Sequence, residues 1–379
     1  MGNNEEEEQP SEDRSGSKPK TKRQRLTIKR KLLFATLALL LGCAGALVLG
    51  EIALRCYVIS RGWTTNCYAT GLVFFVPHSK AGYSLRPNLR LKSTTYDVSV
   101  NARGFRGSEI QAVASENTTR LAVLGGSSVF GYLVGDNLDS CSILEDELNS
   151  LESNRDTWFE VINGGIPGFN LTQSRLRFET DVGPLKPDVV LLYLGWNDIP
   201  ILLSETPEIL NRTPPAPPFR ERLLGHSTLY GFLRYRLFPP EAPKFTPPSS
   251  ASTNVSFAGG ELFRSELLKM ISAIRNSGAT PVLSTQVMAA TSDATELEPF
   301  LGNSKEQIEA NKKIGRWLSN CIREVAQEQK VALIDCGATI ETSENVLGDA
   351  IHLSQQGHRL VAKTWKEGLL PLIETSGDN

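Results

Sequence analysis

The hydrophobic positions of this chain fall into one long apolar run near the N-terminus and a series of short ones after it. Residues 32–50 carry no charged side chain and are rich in Leu, Ala, Val and Gly. A helix of this length is roughly 28 Å long, which is close to the thickness of the hydrocarbon core of a bilayer. This run therefore predicts a transmembrane helix over residues 32–50.

From residue 119 onward, short apolar runs alternate with longer segments of helical periodicity. The apolar runs have the length of strands buried on both faces, and they cover residues 121–124, 159–162, 189–194, 281–285 and 331–334. The helical segments cover residues 140–151, 172–180, 261–276, 305–329 and about 355–370, with Ser354 as the N-cap of the last. This alternation predicts an α/β fold in which helices cover both faces of a parallel sheet.

Two parts of the chain lack this alternation. Residues 51–118 form a connector with short alternating runs, which predicts a small β-rich subdomain, with a mostly irregular stalk as the alternative. Residues 200–260 are rich in Pro, Ser and Thr. Long insertions of this kind are usually lids, binding loops or disordered segments. The predicted main domain, residues 119–379, therefore contains an insertion that either shapes a substrate site or is disordered.

The distribution of charge is informative mainly for the N-terminal residues. The formal net charge of the 379 residues is -2, which gives no general attraction to nucleic acid. Residues 1–31 hold an acidic run and then a basic run, so a disordered tail is expected there. Positive charge before the apolar run predicts that the tail is cytoplasmic and that the main domain is periplasmic or extracellular. A cleaved signal peptide and a lipidated Cys43 are the alternatives to an anchor.

The sequence gives no reason to expect a metal or an organic cofactor. None of the six cysteines forms a C-x-x-C pair, which argues against a zinc or thioredoxin-type site. Residues 125–131 do not supply the Gly-x-Gly-x-x-Gly motif of dinucleotide-binding loops, the Gly-Lys-Ser/Thr of a P-loop or the Gly-x-Ser-x-Gly of α/β-hydrolases. We therefore predict neither a cofactor nor a bound metal.

Four groups of small and polar residues carry the candidate chemistry. Three follow the first three predicted strands, at the sheet edge where open α/β sheets bind ligands, and the fourth precedes the last helix. They are Gly125-Gly126-Ser127-Ser128, residues 163–168, Gly195-Trp196-Asn197-Asp198 and Asp349-Ala350-Ile351-His352. Together they supply a serine hydroxyl, an imidazole base, a carboxylate to orient that base, and amide donors for an oxyanion. These are the requirements of acyl transfer.

These groups resemble the four sequence blocks of the SGNH (GDSL-type) hydrolases, and they occur in the same order. The resemblance implies the three-layer α/β/α, flavodoxin-like fold of that family. It implies that Ser127 is the nucleophile, that His352 is the general base and acid, and that Asp349 orients His352. It further implies an oxyanion hole built from the backbone N–H groups of Ser127 and Gly168 and the side chain of Asn197. The apolar run, followed by Gly-Phe-Arg-Gly at residues 104–107, also resembles bacterial membrane-anchored members.

One residue departs from the family pattern. Gly126 stands where the family usually has aspartate, so the contribution of that aspartate to the nucleophile loop must come from elsewhere. Ser128 is a rival nucleophile by position, although the block alignment favours Ser127. Trp196 and Asp198 are expected to shape the substrate pocket.

The sequence as a whole predicts a membrane-anchored serine ester hydrolase. Its expected partners are an ester-bearing substrate, either a lipid, an acetylated sugar or a small ester, and the membrane itself through the N-terminal helix; nucleic acid is not expected. One alternative is an acyltransferase that acts on a cell-surface polysaccharide with the same residues. The other is an inactive SGNH-like domain that only binds carbohydrate.

Overall fold

A computed structural model describes the larger part of the chain. The described residues are 27–60, 75–92, 97–132, 134–151, 157–205, 224, 227–237 and 255–374. Most of the predicted cytoplasmic tail, residues 61–74 of the connector and most of the Pro-rich insertion lie outside the described residues.

Helix α1 spans Ile28–Ser60 and contains the predicted apolar run. Among the described residues, its segment Ile28–Tyr57 is the one helix long and apolar enough to cross a bilayer, with a mean hydropathy of 2.5. None of that apolar segment is buried inside the protein. Length and composition therefore make it a candidate membrane anchor, although a signal sequence near the N-terminus has the same properties.

Two antiparallel hairpins make up the described part of the connector. Strand β1 (Phe75–His78) pairs with β2 (Gly82–Leu85), and β3 (Arg90–Lys92) pairs with β4 (Asp97–Ser99). Side chains of β2 point alternately to solvent and to the interior, as expected for a strand with one face against a core. The buried side chains form a small hydrophobic cluster that includes Phe130, Ile166 and Phe169 of the main domain. The hairpins therefore pack on loops of the main domain.

The centre of the main domain is a five-stranded parallel sheet. Its strands are β5 (Thr118–Gly125), β6 (Trp158–Asn163), β7 (Val189–Tyr193), β8 (Thr280–Ser284) and β9 (Ala332–Ile334). They lie in the order β6-β5-β7-β8-β9, and every neighbouring pair is parallel. All five residues of β7 are buried, as its continuous apolar sequence requires for a strand covered on both faces. The prediction of an α/β fold around a parallel sheet is confirmed.

Helices separate the strands along the chain. Among the described residues of 119–379, the α-helices are α2 (Ser127–Phe130), α3 (Ser140–Asn149), α4 (Leu171–Arg177), α5 (Ile199–Leu202), α6 (Thr228–Leu237), α7 (Gly260–Asn276), α8 (Lys305–Gln329), α9 (Cys336–Thr339) and α10 (Gln355–Glu374). Shorter turns of π- and 3₁₀-helix occur at Phe178–Val182, Gly183–Leu185, Trp196–Asp198, Ala289–Thr291 and Thr295–Phe300. Helix α3 packs against α10, and α4 packs against α7.

Polar residues mark the helix starts. Asp139 accepts hydrogen bonds from backbone N–H groups of the first turn of α3, Asn170 forms a reciprocal capping box with Gln173 at α4, and Ser304 caps α8. The predicted helix over residues 172–180 is divided: α4 ends at Arg177 and continues as the π-helical turn Phe178–Val182. Pro184, which has no N–H to donate, lies two residues after the end of that turn.

Candidate active site

The candidate residues collect where the chain changes direction along the sheet. From β5 the chain passes to β6 on one side and then returns to β7 on the other side of β5. The loops after β5 and β7 therefore diverge and leave a crevice at the carboxyl ends of the strands. Ser127 is the first residue of α2, immediately after β5, and the 3₁₀ turn Trp196–Asp198 follows β7. The loop at residues 163–168 follows β6.

Ser127, His352 and Asp349 form a continuous hydrogen-bonded line. The Oγ of Ser127 lies 2.7 Å from Nε2 of His352. The Nδ1 of His352 lies 2.6 Å from Oδ2 of Asp349. An ionised carboxylate only accepts, so Nδ1 carries the proton, and Nε2 is left to accept the proton of the Ser127 hydroxyl. This is the arrangement that acyl transfer by a serine nucleophile requires.

The carboxylate of Asp349 is held in its ionised form. Its Oδ1 accepts hydrogen bonds from the backbone N–H groups of Ile351 and His352, at 2.9 and 2.8 Å. Burial alone raises the pKa of Asp349, but the hydrogen bonds and charge of His352 and the backbone donors outweigh burial, so the pKa is below its usual value. The ring of Tyr132 lies 5.0 Å from the His352 ring. The imidazole is thus held by the carboxylate at one end and by an aromatic ring at its side.

The predicted oxyanion donors lie beside the nucleophile turn. The backbone N–H of Ile166 donates to the carbonyl of Gly125 at 3.1 Å, which ties the 163–168 loop to the residue two positions before Ser127. Gly168 has a φ of +82°, a left-handed conformation that favours glycine. The Nδ2 of Asn197 donates to the carbonyl of Phe169 at 2.9 Å. These contacts bring the Gly168 loop and the Asn197 amide to the same edge of the sheet as Ser127.

Gly126 gives the Asn197 amide the space it occupies. A Cβ atom at position 126 would lie only 2.4 Å from Nδ2 of Asn197. Real Cβ contacts are essentially never that short, so any side chain at position 126 would displace the amide. Glycine at position 126, where the family usually has aspartate, therefore leaves room for the Asn197 amide in its observed position.

Trp196 and Asp198, the residues expected to shape the substrate pocket, are both buried beside the Asn197 turn. The backbone N–H of Trp196 donates to Oε1 of Gln286 at 2.9 Å, and its ring is part of the main core. The carboxylate of Asp198 is buried and accepts from the backbone N–H of Leu171, at 3.0 and 3.2 Å to its two oxygens. The residues on both sides of Asn197 are thereby fixed to the core and to the start of α4.

Arg106, in the Gly-Phe-Arg-Gly segment, contacts the far end of the nucleophile helix. Its Nη1 lies 2.6 Å from the carbonyls of both Phe130 and Gly131, and its Nη2 lies 2.7 Å from the carbonyl of Val134. The guanidinium also lies over the Phe130 ring, 4.9 Å from its centroid. Arg106 thereby ties the end of α2 and the loop that follows it to the connector. No role for Arg106 follows from the sequence of this segment alone.

No group of three or more metal-ligating side chains occurs within the described part of the chain. The structure brings together a hydroxyl, an imidazole, a carboxylate and a side-chain amide at the candidate site.

The model of the GDSL-like Lipase/Acylhydrolase family matches residues 123–360. No curated protein sequence shows a significant match.

Solved structures with similar folds include three esterases or acylhydrolases. The acetyl xylan esterase AlAXEase is 17% identical, with 66% of this chain and 99% of that chain covered and a TM-score of 0.41. The lipase/acylhydrolase from Enterococcus faecalis is 17% identical, with coverages of 66% and 94% and a TM-score of 0.40. A variant of the acetyl xylan esterase Axe2 from Geobacillus stearothermophilus is 16% identical, with coverages of 68% and 97% and a TM-score of 0.40.

Proposed function

The chain belongs to the GDSL-like lipase/acylhydrolase family and is a hydrolase acting on ester bonds, and we propose that Ser127, His352 and Asp349 are its catalytic triad. The observation that carries this proposal is the line of hydrogen bonds from Ser127 Oγ through the imidazole to Asp349, at 2.7 and 2.6 Å. The 2.7 Å between Ser127 Oγ and His352 Nε2 is within the range in which a proton passes directly between the two groups, and the 2.6 Å contact with Asp349 is that of a charge-assisted hydrogen bond, which orients the imidazole.

The reaction proceeds in two steps. The Oγ of Ser127 attacks the ester carbonyl while Nε2 of His352 takes the hydroxyl proton. The tetrahedral intermediate collapses, His352 gives that proton to the departing alcohol oxygen, and an acyl-serine remains. Water then attacks the acyl-serine while His352 takes one of its protons, and His352 passes that proton to the Oγ of Ser127 as the carboxylic acid leaves. Asp349 stays ionised throughout and stabilises the imidazolium that forms in each step.

The oxyanion of each intermediate is bound by three donors: the backbone N–H groups of Ser127 and Gly168 and the side-chain amide of Asn197. The position of the amide against Gly126, and the contact of the Gly168 loop with Gly125, support this assignment. Donors held in place before the reaction stabilise developing charge without having to reorganise, which is usually the largest single contribution to such catalysis.

We further propose that residues 32–50 anchor the protein in a membrane. In this topology the tail of residues 1–31 is in the cytoplasm, and the catalytic domain of residues 119–379 is outside the cytoplasm. The exposed apolar helix Ile28–Tyr57 and the basic residues that precede its hydrophobic part support this topology. The residues of the site act on an ester carbonyl. The preferred length of the acyl chain is measured with the esters named below.

The test uses the detergent-solubilised full chain and p-nitrophenyl acetate, butyrate and octanoate. Three variants accompany the wild type: Ser127→Ala, His352→Ala and the matched control Ser150→Ala, whose hydroxyl contacts only the Asp146 carbonyl at the exposed end of α3. We expect turnover in the wild type and the control and a loss of at least about 10³-fold in the other two. Turnover that survives Ser127→Ala would contradict the assigned nucleophile, and no turnover of any ester by a folded chain would favour an acyltransferase or a binding module.

A further inference from the structure

We propose that Tyr83, in the connector hairpin upstream of the family-matched residues, is a positioning residue that fixes the peptide unit between Pro167 and Gly168. The proposal rests on the role given to the Gly168 N–H under the proposed function. The hydroxyl of Tyr83 donates a 3.0 Å hydrogen bond to the carbonyl oxygen of Pro167. This bond joins the connector to the oxyanion side of the site.

The carbonyl of Pro167 and the N–H of Gly168 belong to the same peptide unit. That unit is planar and trans, so its C=O and N–H groups are rigidly linked and point in opposite directions. A hydrogen bond that holds the carbonyl therefore also sets the direction of the N–H. Tyr83 thus acts on the oxyanion donor through the opposite end of its own peptide, without touching the substrate.

This peptide needs an external support because Gly168 has no side chain to restrict it. Its φ of +82° lies in a region that glycine enters and leaves more easily than other residues. A rotation of the peptide plane would turn the N–H away from the oxyanion and the Pro167 carbonyl towards it. The Tyr83 hydroxyl approaches so closely that a Cβ atom at position 168 would lie 2.9 Å from it. The Tyr83 hydroxyl therefore occupies space that a side chain at position 168 would need.

Tyr83 is itself firmly held. Its side chain is buried, at 4% exposure, and its ring meets Phe75 and Phe169 edge to face at centroid distances of 4.9 and 5.0 Å. The turn of the hairpin is closed by Nδ1 of His78, which accepts from the backbone N–H of Ala81 at 3.0 Å. The carbonyl of Ala81 accepts from Nε2 of Gln173 in α4 at 3.0 Å. The tyrosine hydroxyl is thus positioned by packing and by the hairpin before any substrate binds.

The connector hairpin is on this view part of the catalytic unit. The family-matched segment begins at residue 123 and does not include it. A residue that orients one of three oxyanion donors should affect the transition state and leave ground-state binding of the ester nearly unchanged.

The test compares two hydroxyl deletions in the full chain, Tyr83→Phe and Ser99→Ala. Tyr83→Phe keeps the ring and removes the hydroxyl that donates to the Pro167 carbonyl. Ser99→Ala removes a different connector hydroxyl, one that donates to Asp136 of the main domain and does not contact the oxyanion loop. Two quantities are measured: kcat and KM for p-nitrophenyl acetate, and the hydrogen exchange of the backbone amides in residues 163–170.

For Tyr83→Phe we expect kcat to fall about tenfold, less than the 10²–10³-fold typical of removing an oxyanion donor outright, with KM changed less than twofold. We expect exchange in residues 163–170 to become faster in Tyr83→Phe and to stay at the wild-type rate in Ser99→Ala. Equal losses of kcat in the two variants, or unchanged exchange in Tyr83→Phe, would overturn the proposal. The exchange measurement does not depend on turnover, so it decides the role of Tyr83 even if the ester hydrolase assignment fails.

Discussion

The hydroxyl of Ser128 donates a 3.0 Å hydrogen bond to the carbonyl oxygen of Ile351. Ser128 follows the proposed nucleophile directly, and Ile351 directly precedes the proposed base. The bond is buried, and it joins α2 to the loop before α10, between residues that are 223 positions apart in the chain. It therefore helps to hold Ser127 and His352 at the distance that proton transfer requires, and it occupies the hydroxyl of the rival nucleophile.

Replacing Ser128 by alanine should weaken catalysis without abolishing it. The substitution leaves the Ile351 carbonyl buried without its donor, so we expect the free energy of unfolding to fall by about 1–2 kcal/mol and kcat by about tenfold. Intact-mass detection of a covalent fluorophosphonate adduct separates the two serines. The adduct should form on Ser128→Ala and be absent from Ser127→Ala. The reverse pattern would make Ser128 the nucleophile.

Introducing the aspartate usual in the family at position 126 should lower activity. In Gly126→Asp, and already in Gly126→Ala, the new Cβ would stand 2.4 Å from Nδ2 of Asn197 and push the amide away. Loss of one oxyanion donor costs about 10²-fold or more in kcat, and we expect a loss of this order in both variants. The matched control is Gly135→Ala, whose Cβ would meet no atom closer than 3.7 Å. Gly126→Asp with wild-type or higher kcat would show that Asn197 does not need this space.

The difference between the predictable and the unpredictable parts of this site has a physical cause. Apolar runs located the strands because burial on both faces imposes a continuous hydrophobic sequence, so the run at 189–194 matches β7 to within one residue. The candidate catalytic groups were located because four sequence blocks resemble those of the SGNH hydrolases in the same order and together hold a hydroxyl, an imidazole and a carboxylate. Arg106 and Tyr83 were missed because their acceptors are backbone carbonyls, which every residue carries. Such an acceptor leaves no sequence signal.

Replacing Arg106 by lysine should destabilise the nucleophile loop although the charge is kept. The planar guanidinium binds three carbonyls from two nitrogens, and a single ammonium on a shorter stem does not reproduce that fork. We expect Arg106→Lys to lower the free energy of unfolding by about 2 kcal/mol, measured by urea denaturation of the full chain in detergent. The matched control is Arg103→Lys, because Arg103 is exposed and donates to a single carbonyl. We expect this substitution to change the free energy of unfolding by less than about 0.5 kcal/mol. Equal effects in the two variants would contradict this role of Arg106.

Replacing Asp349 by asparagine should leave the fold intact and remove most of the activity. An amide in place of the carboxylate can donate to Nδ1 of His352, which favours the tautomer with its proton on Nε2, and that tautomer cannot accept from Ser127. We expect kcat to fall by about 10³–10⁴-fold at pH 7. The control Asp335→Asn alters another half-buried aspartate, one that pairs with Arg323, and should retain kcat. Full activity in Asp349→Asn would remove this residue from the triad.

The buried histidine of the last helix should make the protein sensitive to acid. His358 is fully buried, and its Nδ1 lies 3.1 Å from the backbone nitrogen of Ser140 and 2.8 Å from the Ser140 hydroxyl. The backbone N–H of Ser140 can only donate, so Nδ1 must be unprotonated to receive it. Burial lowers the pKa of His358 to about 4, and the opposing charge of Asp139 does not compensate.

The sign of the resulting pH dependence follows from this lowered pKa. Between pH 6.5, near the pKa of an unfolded histidine, and pH 4 the unfolded chain binds a proton that the folded chain does not, so the stability that is complete above pH 6.5 falls as the pH is lowered. At pH 4 the loss is at most roughly 3 kcal/mol. In His358→Asn the side-chain oxygen can still accept from Ser140 but does not titrate. We expect this variant to have a lower Tm than the wild type at pH 7.5 and a smaller fall in Tm between pH 7.5 and pH 5. A wild-type pH dependence in His358→Asn would mean that other groups, and not His358, cause the acid sensitivity.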